Sequence, residues 1–556
     1  MANNYWTRRA SRRRFLAASA TAAVGFGGAV AVGCGDDDDD DGSSGGGDPA
    51  RGGTLRGMSQ IDSVLDPHRT NTPAESTDIW GRIGNFLVRL SATDPVGFPE
   101  ADLAESLPEV PDDGTTLTFK IRSEAKWHDR APVSGRSVTA EDVKLTIERI
   151  QDPDVVSPRA GTFANIESVT VIDERTAQFK LKKPQADLLN ILADQYNYII
   201  PSEIAGRGAE AIKGVEDVIG SGPYELTSYK PGEAFTLERR ADGYWREDSA
   251  WLDGFEYIHQ VEPQRIADGF RSGQVDYAPL VTVDVARSFA DDERYQVTRA
   301  PIPVRECLLI NHNLERYQDV RVRKALWSAI DRQQVYDQVF GGAGKIGGPM
   351  TPAAAAWVLP DSELLTLPGF RDREIEVKDS RSLLEAAGYP DGFEETVLTV
   401  SAFDTEKIHD VVVSSLADVG INVITDNVGT DFAAQFLPRE VGRDYNLATT
   451  LFLSGAYPDA QLLLYHHTNT ETFGTRNYGD YGDAELDAML EQQSTIYDTP
   501  ERVELVQDIQ RRIVDNPGPV WMGSREVFSL WRGNVRNARS LPFAAGYYVA
   551  EHVWLE

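Results

Sequence analysis

The sequence predicts a mixed α/β fold, because strand-like and helix-like patterns stand side by side in it. Residues 117–122 alternate apolar and polar side chains with the period of two that is typical of a half-buried strand. Residues 137–150 instead follow a capping box with Val143, Ile147 and Ile150 on one helical face. Both kinds of pattern recur along the chain, which favours layers of helix and strand over an all-helical or all-strand protein.

The first half of the chain contains several further predicted elements. Residues 52–68 read as a strand followed by a proline turn, and residues 220–223 break the chain before two strands that should form a hairpin. Asp319 is a predicted N-cap, and the helix after it has an apolar face formed by Val322, Leu326, Ala329 and Ile330.

The second half repeats the helix-to-strand order. One helix should stop at Gly388, with Pro390 beyond it, and another should stop at Gly420, before an alternating strand. The last long helix begins with Thr499 as cap and Pro500 in the first turn, and the residues predicted to face its core are Val503, Val506, Ile509 and Ile513.

Composition describes a large, acidic, water-facing protein. The chain has 556 residues, 41% of them hydrophobic, and a formal net charge of −32. Such a surface repels nucleic acid and anionic lipid, so neither is expected as a partner. The only cysteines are Cys34 and Cys307, and Cys307 lies in an apolar strand-like run, where we expect a buried, inert thiol.

The first 33 residues have the layout of an export signal. A basic patch at residues 12–14 leads into short, weakly apolar residues 17–32, fewer than the roughly 20 strongly apolar residues of a membrane-spanning helix. Residues 11–16 resemble the twin-arginine export motif, and residues 31–34 resemble the lipoprotein box, which would make Cys34 a lipid anchor. The alternative is a soluble secreted protein cut near Ala31. Residues 34–51 are predicted to form a disordered acidic tether.

Seven landmarks, taken in order, resemble the extracellular solute-binding proteins of peptide- and nickel-type ABC importers. They are TFKIRSEAKWHD, VTAEDVKLTIERI, GSGPYEL, RRADGYW, VRVRKALWSAIDR, LLEAAGYPDG and NYGDYGDAELDAML, and the likeness extends over residues 52–535. The resemblance implies a bilobal, type II periplasmic-binding-protein fold with three domains around a hinge. It divides the chain into lobe I (residues 52–95, 219–306 and 530–556), an inserted domain II (96–218) and lobe III (307–529).

The function implied by this resemblance is capture, not catalysis. A small organic solute, such as a peptide, a peptide-like compound or an oligosaccharide, would lie between two closing lobes and pass to the permease in the membrane. The protein should act as a monomer without a cofactor, touching the membrane only through its lipid. A secreted hydrolase acting on peptides or glycans is the alternative, although the sequence contains no nucleophile elbow, zinc-protease motif or phosphate loop.

One loop departs from the family pattern. In peptide-binding members it supplies an aspartate that holds the ligand's ammonium group, but residues 453–460 here read LSGAYPDA. Leu453 stands where tryptophan is common, and Ala456 stands where that aspartate would be. A peptide with a free amine is therefore not the favoured ligand, unless Asp459 or Asp404 replaces the missing carboxylate.

Six residues are candidate ligand contacts, and each has a simpler alternative role. Trp357 could stack on a ring or only pack, and Phe403 and Asp404 end a strand where Asp404 could be just an N-cap. Tyr457 and Asp459 could bind the ligand or only form a turn, and Arg476 could meet a polar group or remain solvated. The candidates are Trp357, Phe403, Asp404, Tyr457, Asp459 and Arg476.

A metal site at the pair His466-His467 is not expected. Adjacent side chains point about 100° apart on a helix and to opposite faces of a strand, so the two rings cannot easily bind one ion.

Overall fold

The computed structural model describes most of the chain beyond the N-terminal leader. The described residues are 48–59, 64–70, 75–92, 98–260, 262–354, 357–402, 404–470, 475–497, 499–541 and 546–556. The predicted export signal, Cys34, most of the predicted tether and Phe403 lie outside these residues.

Nineteen strands are assigned in the described part of the chain. They are β1 Thr54–Ser59, β2 Val88–Leu90, β3 Pro99–Ala101, β4 Thr116–Lys120, β5 Ile166–Asp173, β6 Thr176–Leu181, β7 Tyr224–Lys230, β8 Ala234–Arg239, β9 Gly254–His259, β10 Tyr277–Val281, β11 Tyr295–Pro301, β12 Val304–Ile310, β13 Gly344–Lys345, β14 Phe393–Thr399, β15 Ile421–Asn427, β16 Leu447–Leu453, β17 Val520–Arg532, β18 Val535–Arg536 and β19 Trp554–Leu555.

Seventeen α-helices are assigned in the same residues, many of them a single turn. They are α1 Gly81–Ile83, α2 Ala140–Gln151, α3 Leu188–Leu192, α4 Ser202–Ala205, α5 Pro263–Ser272, α6 Val283–Arg287, α7 Glu315–Gln318, α8 Val320–Ala329, α9 Arg332–Gln334, α10 Asp361–Leu364, α11 Arg373–Ala386, α12 Thr405–Ala417, α13 Leu437–Gly442, α14 Leu464–His466, α15 Ala484–Thr495, α16 Thr499–Asp515 and α17 Gly546–His552. None of the helices in the described part is long and apolar enough to cross a membrane.

One sheet passes through both halves of the molecule. Its strand order is β15-β14-β16-β12-β17-β10-β1-β9-β8-β7, with β11 and β13 also paired to β17. The long strand β17 pairs through Trp521 with Cys307 at its start, and through Trp531 with Tyr277 at its end. The register of the β12–β17 pairing shifts between Trp521 and Gly523, and Gly523 has a φ of +151°. Residues 301–304, which link β11 to β12, and the strand β17 therefore carry the chain from one lobe to the other and back.

Two large apolar cores lie on either side of this crossing. The core of the first lobe contains residues from Leu55 to Tyr257 together with C-terminal residues such as Trp531 and Val553. The core of the second lobe contains residues from Cys307 to Met522. Each core can stay packed while the angle between the two changes at β17.

Residues 98–218, which we call the small-sheet region, have their own antiparallel sheet of order β4-β6-β5 with α2 packed on it. Their apolar side chains, such as Phe119 and Ile147, belong to the same core as the first lobe. The small-sheet region should therefore move with the first lobe, because separating the two would expose a shared core.

Several local signals in the sequence are confirmed. Thr139 and Asp142 form the predicted capping box of α2, and the Asp319 side chain accepts a hydrogen bond from the backbone N–H of Arg321 at the start of α8. The strands β7 and β8 form the predicted hairpin, and Cys307 is fully buried.

One face of the long helix α16 differs from the prediction. Val506, Ile509 and Ile513 are buried as expected, but the residue that continues this face is Arg502, which is 3% exposed, while Val503 is only partly buried. The buried face of α16 is therefore formed by residues 502, 506, 509 and 513. An arginine side chain on a buried face needs hydrogen-bond acceptors that are buried with it.

Candidate functional site

Three of the predicted contact residues gather around the loop that follows β16. Leu453 ends the strand and is 51% exposed, although it is a large apolar residue. Ser454 donates its backbone N–H to the carbonyl of Pro303 (3.1 Å), which fixes the loop next to the crossing between the lobes. Tyr457 then packs against the core of the first lobe, so this loop of the second lobe reaches across to the first.

Tyr457 lies among charges that come from both sides. Burial raises the pKa of the Tyr457 hydroxyl far above its ordinary value, and the carboxylates of Asp194, Asp187 and Asp459 raise it further. Arg476 acts in the opposite direction. The Tyr457 hydroxyl is therefore within electrostatic range of carboxylates in the small-sheet region and of a guanidinium in the second lobe.

Asp459 does not face open solvent. Its side chain is 14% exposed and accepts a hydrogen bond from the amide nitrogen of Gln493 (2.6 Å), and its backbone N–H donates to the carboxylate of Asp187 (2.9 Å). Burial raises the pKa of Asp459 to about 7, and the neighbouring Asp187 carboxylate adds to the shift.

Asp187 and Arg502 complete this contact. The Nη1 atom of Arg502 donates to Asp187 at 2.7 Å, and Nη2 lies 3.6 Å from Asp459. Both side chains are almost fully buried, at 3% for Arg502 and 0% for Asp187. We call Asp187, Asp459, Gln493 and Arg502 the interdomain cluster, because Asp187 belongs to the small-sheet region and the other three belong to the second lobe.

Three backbone contacts flank the interdomain cluster. The N–H of Ala186 donates to the carbonyl of Ser494 (2.7 Å), and the N–H of Gln185 donates to the hydroxyl of Tyr497 (3.0 Å). The same hydroxyl donates to the carbonyl of Gly114 (2.9 Å). All of them join the small-sheet region to the second lobe through polar groups.

Arg476 lies beside the exposed Leu453. Its Nη1 donates to the carbonyl of Leu453 (2.8 Å) and to the hydroxyl of Tyr465 (2.9 Å). No carboxylate of the described residues lies within 4.0 Å of this guanidinium, although most arginines of the chain have such a partner. A cavity of about 10 Å³, roughly the room of one water molecule, is bordered by Arg476, Tyr465 and Tyr478.

Asp194 has the charge opposite to that of Arg476 and also acts on Tyr457. It follows α3, is partly exposed, and accepts a hydrogen bond from the backbone N–H of Tyr196 (3.2 Å). In the described part of the protein it forms no ion pair within 4.0 Å. Burial raises its pKa, and the more distant Arg159 opposes that effect.

Trp357 and Asp404 each contact other side chains of the second lobe. The ring of Trp357 faces the guanidinium of Arg502 at 5.1 Å and packs on a core of the second lobe. Asp404 precedes α12 with a φ of +63° and pairs with Lys407 (2.8 Å) and, more loosely, with Arg525 (3.5 Å). Both side chains therefore already have partners within the protein.

The two carboxylates that could have replaced the missing aspartate at Ala456 are thus engaged elsewhere. Asp459 belongs to the interdomain cluster, and Asp404 is paired with two cations. Asp194 was not identified from the sequence, because a single aspartate after a short apolar stretch gives no signal of its own. Arg502 could have been identified, since it occupies the apolar face of α16.

The adjacent histidines have separate environments. His466 is buried against Trp521, whose indole nitrogen lies 3.3 Å from its Nε2, while Nε2 of His467 lies 3.0 Å from Glu491. Over the described ranges, no group of three or more histidine, cysteine, aspartate or glutamate side chains is arranged to hold a metal ion.

Two lobes with separate cores, joined by residues 301–304 and by the long strand β17 and facing each other at a charged loop, are the features of a type II periplasmic binding protein. Residues 99–474 match the family described as bacterial extracellular solute-binding proteins, family 5, and this chain belongs to that family.

Relatives and solved structures agree with this assignment. The glutathione-binding protein GsiB of Salmonella typhi is 27% identical over 313 residues, which span 56% of this chain and 58% of the relative, so the match extends over less than two thirds of the relative's length. The protein AgaA of A. tumefaciens R10, in complex with agropinic acid, has a TM-score of 0.71 and 24% identity, covering 91% of this chain and 99% of AgaA. The protein DppA of Helicobacter pylori, in complex with the peptide STSA, has a TM-score of 0.71 and 21% identity, with 91% and 99% covered. At these identities the structures establish the fold alone.

Proposed function

We propose that this protein is the solute-capturing component of an ABC importer and that its solute is a small peptide or peptide-like compound with a carboxylate. The observation that carries the proposal is Arg476, a guanidinium without a carboxylate partner among the described residues, beside exposed Leu453 where the two lobes meet. An arginine left without an acid partner at a cleft suits a ligand carboxylate, which it can bind with two parallel hydrogen bonds.

The relatives support this class of ligand. Glutathione, agropinic acid and the peptide STSA, the compounds in the names of the matching proteins, are all carboxylic acids. The oligosaccharide ligand and the secreted hydrolase considered from the sequence receive no comparable support. The domain boundaries expected from the sequence remain part of this proposal, as do the permease partner and the monomeric state.

The ammonium end of such a solute would meet Asp194. In this protein the family aspartate is replaced by Ala456, and Asp459 and Asp404 are engaged, whereas Asp194 has no ion-pair partner within 4.0 Å in the described ranges. Both charges act on Tyr457, Asp194 raising the pKa of its hydroxyl and Arg476 lowering it, so we place a zwitterionic solute between these two residues. The carboxylate of the solute would bind the second lobe and its ammonium group would bind the small-sheet region, which gives closure a reason to follow binding.

Calorimetric titration with glutathione, a dipeptide and agropinic acid tests the proposal. For any compound that binds, Arg476→Gln should weaken binding by about 30-fold or more, because it removes one partner of a desolvated charge pair. The matched control Arg381→Gln removes an exposed guanidinium that bonds to the backbone carbonyl of Asp418 within the second lobe, and it should leave affinity unchanged.

The two ends of the ligand can be tested separately. Asp194→Asn should weaken binding of a free-amine ligand but not of its N-acetyl form, whereas Asp154→Asn, an exposed change in the same region, should affect neither. A methyl ester that binds as tightly as the free acid would contradict the carboxylate assignment. Turnover of the bound compound would contradict a purely binding role.

We also infer that the protein is exported through the twin-arginine pathway and held at the membrane by acylated Cys34. The support is the sequence of residues 11–34. Incorporation of labelled palmitate should be lost in Cys34→Ala, and the variant should appear in the soluble fraction. Equal labelling of both proteins would contradict the anchor.

A further inference from the structure

The interdomain cluster is a connection between the two lobes that is separate from the chain crossings at residues 301–304 and at the strand β17. At β17 the lobes are joined covalently and by sheet hydrogen bonds, which persist through any hinge motion. At the cluster they are joined by side-chain and backbone polar groups of residues 114, 185–187 and 459–502, beside the packing of Tyr457 on the surface of the first core. A contact of this kind can separate without breaking an apolar core.

Water can replace each of these polar bonds when the surfaces part. The carboxylate of Asp187 accepts from Arg502 and from the backbone of Asp459, and both donors would be hydrated in an open form. The small-sheet region, by contrast, shares its apolar core with the first lobe and cannot leave it at low cost. Motion of the second lobe must therefore either separate the interdomain cluster or pivot on it.

We propose that the interdomain cluster is a latch: Asp187 on the small-sheet region engages Arg502 and the Asp459 backbone of the second lobe when the lobes close and releases them when the lobes open. The small-sheet region then has two roles, since Asp194 would contact the solute and Asp187 would hold the closed state. The latch rests on the proposed closing of the lobes around a solute.

The geometry favours a latch over a permanent joint. The ion pair between Asp187 and Arg502 is buried, so its two charges stabilise the closed form only while they remain together. Separation returns both to water, where little of the attraction remains but hydration compensates. The exchange is close to balanced, which is the property that a reversible contact needs.

Hydrogen exchange of the ligand-free protein, read by mass spectrometry, tests the latch directly. The amides of Gln185 and Ala186 bond across the interface, so they exchange only when it opens. Arg502→Gln, a change in the other lobe, should accelerate their exchange by about tenfold or more, the effect of losing a charged hydrogen bond. Arg511→Gln on the same helix breaks an ion pair with Glu363 within the second lobe and should leave these amides unchanged.

A milder variant covers the case in which Arg502→Gln does not fold. Tyr497→Phe removes only the hydroxyl that joins Gln185 to Gly114, and it should accelerate exchange by about threefold at Ala186, whose own bond to the carbonyl of Ser494 it leaves in place. Tyr481→Phe, which loses a hydroxyl bonded to Asn516 within the second lobe, is its control.

The outcomes separate the latch from the proposed function. Unchanged exchange at Gln185 and Ala186 in both Arg502→Gln and Tyr497→Phe would overturn the latch, and so would equal acceleration in the two controls. Small-angle scattering of the wild type with and without glutathione, the dipeptide or agropinic acid reports the closing itself. No change in shape with a compound that binds would overturn the capture mechanism whatever the exchange rates are.

Discussion

Buried carboxylates in this protein differ sharply in how they are compensated. Glu551 is fully buried but bonds to Arg89 (2.9 Å), and although burial alone would raise its pKa, Arg89 and Arg246 lower it below the ordinary value. Glu440 is equally buried and has no ion pair, and its Oε1 has no hydrogen-bond partner in the described part of the protein. Burial raises the pKa of Glu440 to about 7. A single side chain thus makes the stability of the second lobe depend on pH.

Glu440→Gln should reduce the loss of folding stability that the protein undergoes as the pH rises. The raised pKa means that the folded protein holds a proton that the unfolded chain has lost, so stability falls as the pH rises from the ordinary glutamate range to about 7. Relative to wild type, the variant should gain about 2 kcal/mol in free energy of unfolding between pH 5 and pH 8. Urea denaturation at the two pH values measures this, with the exposed Glu385→Gln as control. An equal pH dependence in all three proteins would refute the assignment.

At the scale of elements, short segments carry the contact between the lobes. The helix α3 is only five residues long, with Asp187 before it and Asp194 after it. Asp187 accepts a hydrogen bond from the backbone of Asp459, whereas Asp194 acts on Tyr457, so the two ends of α3 interact with different residues of the second lobe. Arg502, in the first turn of the long helix α16, donates a hydrogen bond to Asp187. The pairing depends on the position of α3 and α16 relative to each other, and neither helix predicts it alone.

The interdomain cluster should tighten as the pH falls. Asp459 has a raised pKa while it is enclosed with Asp187, Arg502, Lys183 and Tyr457, and exposure on opening would return it to an ordinary carboxylate. Closing of the lobes is therefore coupled to binding of a proton by Asp459 between about pH 4 and pH 7. Above about pH 7 Asp459 is ionised in both the open and the closed form, and closing no longer depends on pH through this group. Corrected for intrinsic rates, protection of the Gln185 and Ala186 amides should rise about tenfold from pH 7.5 to pH 5.5.

Asp459→Asn is the companion measurement. The amide resembles the protonated acid, so protection in this variant should be the same at both pH values. A pH dependence that survives the substitution would assign the proton to another group.

At the scale of the whole molecule, β17 sets the relation between the lobes. It extends over Val520–Arg532, pairs with β12 in the second lobe and with β10 and β11 in the first, and changes register near Gly523. Gly523 has a φ that other residues rarely adopt, and a Cβ there would lie 3.1 Å from the carbonyl of Lys345. The crossing point of the two lobes is thus built on a residue without a side chain.

Gly523→Ala should destabilise the protein by about 2 kcal/mol, since the substituted residue is strained and meets backbone. Chemical denaturation measures the change. Gly442→Ala, where a Cβ would meet nothing within 4 Å, should be neutral or slightly stabilising. Equal effects of the two substitutions would contradict the strain argument.

Much of the fold follows from local patterns. The capping box at Thr139, the N-cap at Asp319 and the stops at Gly388 and Gly420 depend on neighbours within a few residues, so their signals are complete in the sequence. The mixed α/β class and the order of family landmarks are determined in the same way. The burial of Cys307 follows from the apolar strand that surrounds it.

The site is a different matter, because its charges come from distant parts of the chain. The sequence by itself determined the fold class, the caps and the departure at Ala456, which are properties of consecutive residues. Only the tertiary structure decided that Asp459 accepts a hydrogen bond from Gln493 and meets Asp187, that Asp404 also lies beside Arg525, and that Arg476 and Asp194 remain without ion-pair partners within 4.0 Å in the described ranges. The physical reason is that a charged side chain forms an ion pair only with groups that the fold brings within a few ångströms. The number of residues between two side chains does not predict that distance.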